Sequence, residues 1–401
     1  MKKFLLIMGA AAMMASCSQE EVLQLTADNG DYNEIAFRVR SSKIARSQEY
    51  STANLNAFKV FGFNGWPEDN YEAGEEMTPF FDNGEAVLFS KNGSGLFTST
   101  PAYYYPTDGS WVYFAAYAPT TLNMETLPYG GLTIKNFTVD PDITKQLDII
   151  CDNGGSNLEL GSDDEDIEFT FKHALTKIFV SRIINQDTRY KYEVAGIKIG
   201  NISNSGEFIY RGEKSLTTDE DTPNGVVDED GYVNDPTGDG FYWKANEQKD
   251  DMVYLFDEPL VLDEETDVVY PMTGNDTGEE DVIGNADGAG KGGFMLIPQK
   301  LSSKFVNEDG TLEGKQFGEG MSYIAFLVRI TYAENGNVVY PYAEGVEDIT
   351  EEIGGVTYAW AAFPVSSLWR PGTYVDYAIT LSNGAGYVAP GAAEGVAFRP
   401  I

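Results

Sequence analysis

The chain has 401 residues and a formal net charge of −36, from 63 acidic and 27 basic side chains. So acidic a surface repels phosphate backbones, which excludes nucleic acid as a partner. Apolar residues make up 42% and aromatic residues 13% of the sequence, too many for an acidic disordered chain. Together with frequent Gly, Asn and Asp, they indicate an all-β protein of short strands joined by turns.

The first residues have the pattern of an export signal. Lys2 and Lys3 precede an apolar run at 4–14 that is too short to span a bilayer stably, and small residues lead to Cys17. This arrangement resembles a bacterial lipoprotein signal peptide, which implies that residues 1–16 are removed and Cys17 is lipidated. An ordinary secretory signal that contains a cysteine is the alternative.

Residues 17–33 are polar and acidic, and we interpret them as a lipidated tether. Their start, Ser18-Gln19-Glu20-Glu21, resembles the segment that directs some Bacteroidetes lipoproteins to the cell surface. We therefore expect a surface-exposed lipoprotein that the lipid attaches to the outer membrane.

The first predicted strand is at 34–40. Its residues alternate, with Ile35, Phe37 and Val39 on one face and polar or small residues on the other. A long polar connection follows at 41–53.

Further strands are predicted along the first half of the chain. The stretch at 110–118 is apolar on both faces, which favours a central strand of a packed sheet. The other predicted strands of this half are at 55–63, 86–90, 102–106 and 147–151.

An acidic break at 162–166 is followed by a partial repeat, because residues 168–172 have the pattern of 34–38. We therefore predict two β-sandwich domains in series, at 34–163 and 164–401. The second domain has predicted strands at 168–184, 194–199, 251–255, 294–298, 323–332, 357–364 and 373–382, and single helical turns at 302–305 and 366–369.

Catalytic residue patterns are scarce. His173 is the only histidine, and we expect a hydrogen-bonded strand residue rather than a general base. Cys151 lies in an apolar run without a basic neighbour, which predicts a buried, inert thiol. The 63 acidic residues do not single out a pair of glycosidase carboxylates. We predict that the protein is not an enzyme.

One acidic loop is a candidate calcium site. Asp228, Asp230 and Asp235 lie among glycines, and calcium prefers several oxygen ligands in a flexible loop. The EF-hand spacing fails, since it would place Val226 at the first ligand position. A solvated acidic loop is the alternative, and no other cofactor is expected.

Aromatic residues at 103–105 and Trp111 suit either a sandwich core or a glycan-stacking surface. We expect them to belong to the core.

Several segments, in order along the chain, carry a family resemblance. They are residues 55–63, 104–106 with 111–119, 171–178, 296–299 and 369–374. With the lipoprotein signal, they resemble the fimbrillin family of Bacteroidales. The resemblance implies two transthyretin-like β-sandwich domains and a role as a subunit of type V pili.

In that family, a trypsin-like protease cuts after an arginine beyond the first strand, and a strand from another subunit fills the groove that is left. For this chain the resemblance implies a cut at Arg46, with Arg40 and Lys43 as less favoured neighbours, and removal of the strand that carries Ile35, Phe37 and Val39. The expected partners are other fimbrial subunits and a host or bacterial surface ligand.

The donor strand is harder to place. Val396, Phe398 and Ile401 could fill a groove, but Pro390 and four nearby glycines make a weak strand. Stalk and tip positions therefore both stay open. The alternative function is a monomeric surface lipoprotein that binds glycan or host protein through the loops of its β-sandwich.

Overall fold

A computed structural model describes residues 34–40, 55–65, 77–127, 129–156, 167–211, 227, 231–234, 240–264, 268–269, 293–301, 321–341, 350–381 and 399–400. The all-β prediction is confirmed, because these residues form strands and two short 3-10 helices, Asp82–Gly84 and Ile143–Lys145. In this part of the chain, no helix has the length and apolar character needed to cross a bilayer.

In chain order, the strands are β1 (Phe37–Val39), β2 (Ala57–Asn64), β3 (Thr78–Pro79), β4 (Val87–Lys91), β5 (Phe97–Ser99), β6 (Val112–Ala118), β7 (Glu125–Thr126), β8 (Leu132–Thr138), β9 (Ile150–Ser156), β10 (Ile167–Phe169), β11 (Lys172–His173), β12 (Thr176–Asn185), β13 (Tyr190–Ile202), β14 (Ser205–Tyr210), β15 (Val233–Asn234), β16 (Phe241–Ala245), β17 (Asp250–Leu262), β18 (Val268–Val269), β19 (Phe294–Leu296), β20 (Tyr323–Tyr332), β21 (Val338–Tyr340), β22 (Thr350–Ile353), β23 (Val356–Pro364), β24 (Tyr374–Leu381) and β25 (Arg399–Pro400).

The first sheet has the order β10-β1-β5-β4-β2-β6-β9-β11, with β3 beside β2. Its two terminal strands, β10 and β11, are consecutive in the chain and separated only by Thr170 and Phe171. The path of the sheet therefore nearly closes on itself, and β1 lies within it rather than at an end.

Three further sheets complete the described fold. Their orders are β17-β13-β20-β23-β22 with β21 beside β20, β18-β12-β24-β25 with β19 beside β12, and β15-β16-β14-β8-β7. Strands from both predicted domains share sheets, because β10 and β11 join the first sheet and β8 pairs with β14. The predicted boundary near residue 163 lies outside the described residues and stays a prediction.

Strand β6 separates two cores. Val112 and Phe114 face a cluster that contains eight buried phenylalanines, whereas Tyr113 and Tyr117 face a larger cluster that extends to Leu381. All seven residues of β6 are buried. The predicted central strand is therefore confirmed. We call the first cluster the phenylalanine core; its phenylalanines are Phe37, Phe58, Phe81, Phe89, Phe97, Phe114, Phe169 and Phe171.

The structure confirms one further predicted strand and corrects two other predicted elements. The prediction at 323–332 coincides with β20. The prediction at 102–106 was wrong, since only Tyr104 makes a single bridge there, to Glu34. No helical turn forms at 366–369, where Leu368 instead bridges to Lys300. The second predicted helical turn, at 302–305, lies outside the described residues.

Candidate functional site

The candidate site is the groove that strand β1 occupies. On one side β1 runs parallel to β10, with Phe37 opposite Ile167 and Val39 opposite Phe169. On the other side it runs antiparallel to β5, where Phe37 lies opposite Phe97. The backbone of β1 therefore fills a gap between two strands that do not pair with each other.

Backbone hydrogen bonds hold β1 at both ends. The N–H of Ile35 donates to the carbonyl oxygen of Tyr103 at 2.8 Å, and the N–H of Arg40 donates to the carbonyl oxygen of Phe169 at 2.8 Å. Removal of the strand would leave these two carbonyls without their donors. Such unpaired backbone groups recruit a replacement strand.

The side chain of Phe37 lies at the centre of the phenylalanine core. Its ring centroid is 4.7 Å from that of Phe169, 4.8 Å from that of Phe89 and 5.1 Å from that of Phe114. Phe37 is 0% exposed. A ring surrounded in this way stabilises the fold through its buried apolar area and through its edge-on and tilted contacts with neighbouring rings. Phe37 is therefore the main anchor of β1.

The predicted inward face of the first strand contacts the core, although burial does not alternate strictly, because Ala36 is buried as well. Ile35 is fully buried beside Phe37, and Val39 is partly buried against the same core. The proposed removal of these residues on maturation stays a prediction.

Strand β10 forms one wall of the groove. The segment that follows β10 is held by side chains from β9 and from the residues just before β9. The carboxylate of Asp152 accepts a hydrogen bond from the N–H of Thr170, directly after β10. Asp148, whose side chain is 0% exposed, lies 2.8 Å from Nδ1 of His173 through its Oδ2 atom. Neither of these two contacts involves a residue of β1.

The sequence predicted part of this arrangement. His173 is a hydrogen-bonded strand residue, as expected. Asp148 and Asp152 were missed, because nothing in their local sequence distinguishes them from the other acidic residues. Their burial in a tertiary contact is what gives them a role.

Cys151, next to Asp152 on β9, is buried, as the sequence predicted. Burial, and then the nearby Asp152 carboxylate, raise the pKa of its thiol well above the ordinary value. The thiol is therefore protonated at neutral pH and a poor nucleophile.

An ion pair lies at the exposed end of the groove. Nε of Arg40 is 3.1 Å from Oε2 of Glu168, and the two side chains are 63% and 38% exposed. Pairs this exposed contribute little to stability.

The aromatic stretch near the groove divides into buried and exposed members. Tyr105 is 5% exposed, whereas Tyr104 is 48% and Trp111 is 44% exposed. The prediction that these residues belong to the core was therefore wrong for Tyr104 and Trp111. The segment around Tyr104 is not a strand, so a strand pattern in its sequence does not place the Tyr104 side chain in the core.

Most of the other predicted site residues lie outside the described residues: Cys17, Arg46, Asp228, Asp230, Asp235, Val396, Phe398 and Ile401. Within the part of the chain that is described, no group of three His, Cys, Asp or Glu side chains is arranged to hold a metal ion. Arg399 and Pro400 lie antiparallel to β24, opposite Asp376 and Val375.

Residues 46–253, just over half of the chain, match the family described as fimbrillin-like. Among curated proteins, no sequence matches the chain.

Several solved structures resemble the described fold. A fimbrial protein from Bacteroides vulgatus is 15% identical, with a TM-score of 0.44, over 87% of this chain and 94% of that chain. A candidate cell adhesion protein from Bacteroides ovatus is 13% identical, with a TM-score of 0.40, over 93% of this chain and 97% of that chain.

Proposed function

Because the chain belongs to the fimbrillin-like family, we propose that it is a surface-exposed, lipid-anchored fimbrial subunit that assembles by strand exchange. In this proposal β1 is removed by proteolysis, and a strand from another subunit takes its place. The observation that carries the proposal is the position of β1. It is a short strand inserted between two others, with Phe37 at the centre of its own core.

The physical consequence of losing β1 supports the proposal. The strand contributes Ile35 and Phe37 to the phenylalanine core, pairs with β10 at three positions and pairs with β5 at one. Without it, apolar surface and unpaired backbone would face water together. An incoming extended segment can satisfy both at once by β-augmentation.

Arg46 is the proposed cleavage site. It lies in the polar sequence at 41–53, beyond β1 and beyond Arg40, whose N–H donates to the carbonyl oxygen of Phe169. Because Cys17 precedes β1, a cut after Arg46 would separate both the strand and the lipid from the rest of the chain. The cleaved subunit would then depend on its neighbours to stay at the cell surface.

Limited trypsin digestion of an unlipidated chain that begins at Ser18 tests the proposal. We expect an early cut after Arg46, identified by N-terminal sequencing, and a remaining core that keeps its β-sheet circular dichroism. Arg46→Gln should prevent that cut, while the matched Arg40→Gln should leave it. Resistance of the wild-type chain, or complete unfolding after the cut, would overturn the proposal.

Tyr104 and Trp111 favour a second candidate function, which is binding of a glycan or host protein by a monomeric subunit. Both rings are substantially exposed, and exposed aromatic rings can stack on sugar faces. A glycan array with the wild-type chain and with Y104A/W111A tests this candidate. Equal binding by both proteins would remove its support.

A further inference from the structure

The sheet β17-β13-β20-β23-β22 has apolar side chains on both of its faces. Alternate residues of its strands, such as Phe326 of β20 and Phe363 of β23, belong to the larger core. The residues between them form a separate cluster on the opposite side of the sheet, because successive side chains of a strand point to opposite faces. We call this opposite side the outer face; its buried cluster consists of Ala195, Ala325, Leu327, Tyr358 and Trp360.

Strand β17 adds exposed apolar side chains to the outer face. Val253, Leu255 and Val261 are 37%, 45% and 44% exposed. Leu255 lies opposite Gly196, Gly196 lies opposite Leu327, and Leu327 lies opposite Trp360, so these residues form one row across four strands. Contiguous apolar surface that is exposed to water marks an interaction site.

Two glycines make the outer face flat. A Cβ atom at Gly196 would lie 2.8 Å from Cδ2 of Leu255, so the Leu255 side chain lies directly over this glycine. The ring of Tyr323 lies over Gly200 in the same way. Side chains that lie along a sheet leave an even surface, onto which a second sheet can pack.

The outer face also differs from the rest of the chain in its charge. Its cations are paired in place: Lys191 and Arg329 lie 3.2 Å and 3.3 Å from Glu193, and Lys198 lies 3.8 Å from Asp251. Together with Glu351, which accepts a hydrogen bond from Nε1 of Trp360, these groups amount to three positive and three negative charges. The whole chain carries −36, so two copies repel each other over most of their surface and can approach through a balanced face.

We propose that the outer face is a self-association surface, on which a second copy of this chain packs sheet against sheet. The two-fold axis runs along the strands, between β13 and β20, so that β17 of one copy lies over β23 of the other. Residues of one row then meet across the interface: Leu255 lies over Trp360, and Glu193 lies over Arg329. The exposed aliphatic side chains meet an aromatic surface, and a carboxylate meets a guanidinium. The face is therefore complementary to itself, as a two-fold interface requires.

The edge of β17 is less suitable than the face for a second copy. The register of β17 with β13 shifts between Leu255 and Leu260, and this stretch contains Asp257, Glu258 and Pro259. Proline has no N–H to donate, and carboxylates on a strand edge repel another acidic chain. The structure therefore favours packing on the face over the addition of a strand at this edge.

This interface is separate from the groove of β1. The outer face belongs to a different sheet, and its self-association does not require removal or exchange of a strand. If the chain is a fimbrial subunit, the interface joins subunits side by side, whereas strand exchange joins them end to end.

Sedimentation velocity of the intact, unlipidated chain that begins at Ser18 tests self-association. We expect a dimer whose fraction rises with protein concentration and with salt, because salt screens the repulsion between two acidic chains. Leu255→Glu should remove the dimer at concentrations where the wild type is mostly dimeric. The matched control is Leu88→Glu on β4, where the side chain is 49% exposed, and it should dimerise like the wild type.

Urea unfolding of the same variants, at concentrations where all are monomeric, separates the outcomes. Leu255→Glu should unfold at the wild-type midpoint, since Leu255 is exposed in the monomer. A monomeric wild type together with a lowered midpoint for L255E would mean that another part of the same chain covers the face, and would overturn the proposal. A wild type that stays monomeric at every concentration, or a dimer that L255E leaves intact, would overturn it as well.

Cross-linking tests the two-fold axis. Val253 and Ala362 lie in one row, three strands or about 14 Å apart within a chain, whereas facing sheets lie about 10 Å apart. A bismaleimide matched to the shorter distance should give a covalent dimer of V253C/A362C, and the native Cys151 is buried. The control L88C/A362C should stay monomeric. A wild-type dimer without this cross-link in V253C/A362C, or with an equal yield in the control, would contradict the proposed axis.

Discussion

Two pairs of strands in the described part of the chain are parallel, and they differ in the length of their pairing. Strand β1 pairs with β10 at three positions, whereas β24 pairs with β12 at eight. Tyr377 of β24 is fully buried, and its hydroxyl accepts a hydrogen bond from Nε1 of Trp369. The same type of pairing therefore occurs here with a short register and with a long one, and in contact with two different cores.

The two cores explain the difference further. Tyr377 belongs to the larger core, which draws residues from most of the described chain. Phe37 belongs to the phenylalanine core, on the other face of β6. We therefore expect loss of β1 to open one side of β6 and to leave the packing on its other side unchanged.

The largest expected effect is on the unfolding free energy, and it is measured by comparing Phe37→Ala with Tyr377→Ala. Each should lower the unfolding free energy of the intact chain by about 3–5 kcal/mol, because each deletes a fully buried ring. After cleavage and removal of residues 1–46, Y377A should keep its full effect, and F37A should have none. Urea unfolding of intact and cleaved proteins measures both. An F37A effect that persists after cleavage would show that the cleaved first strand stays bound to the core.

A smaller effect is expected at the wall of the groove. Asp152→Asn weakens the bond to the N–H of Thr170, and we expect it to lower the unfolding free energy by about 1–3 kcal/mol. It should also speed dissociation of a bound 33–40 peptide from the cleaved chain. The exposed Asp142→Asn is a matched control, which should leave the dissociation rate unchanged. Equal rates for all three proteins would contradict the role of Asp152.

Alkaline pH should lower the unfolding free energy through the titration of Tyr377, a residue of β24. Burial raises the pKa of this tyrosine from 10.0 to about 12, so the folded chain keeps a proton that the unfolded chain loses. The resulting stabilisation is complete below pH 10 and is lost as the pH rises towards 12. Urea unfolding between pH 9 and 12 should therefore show a steeper decline for the wild type than for Tyr377→Phe. Identical slopes would contradict the buried state of this hydroxyl.

The smallest effect is expected at the exposed end of β1. Arg40→Gln removes the ion pair with Glu168 and should change the unfolding free energy by less than about 1 kcal/mol. The change should shrink further in high salt, because exposed pairs are screened. A loss as large as that of F37A would mean that charge, rather than the phenylalanine core, holds the strand.

Local patterns predicted the strands that are regular along their length. The apolar run at 110–118 identified β6, and the alternation at 34–40 identified the buried face of β1. Such patterns depend only on neighbouring residues, so they are visible in a sequence.

Long-range features were not predictable in this way. The closure of the first sheet depends on β10 pairing with β1, more than a hundred residues away in the chain. The anchoring roles of Asp148 and Asp152 depend on contacts that form only in the fold. The exposure of Trp111 likewise depends on where its sheet ends.

Amide hydrogen exchange on the cleaved chain is the most direct test of a replaceable first strand. Protection at β5 and β10 should fall once residues 1–46 are removed and return when a 33–40 peptide is added, while protection at β24 stays unchanged throughout. Unchanged protection at β10 after removal, or loss of protection across β24 as well, would contradict strand exchange.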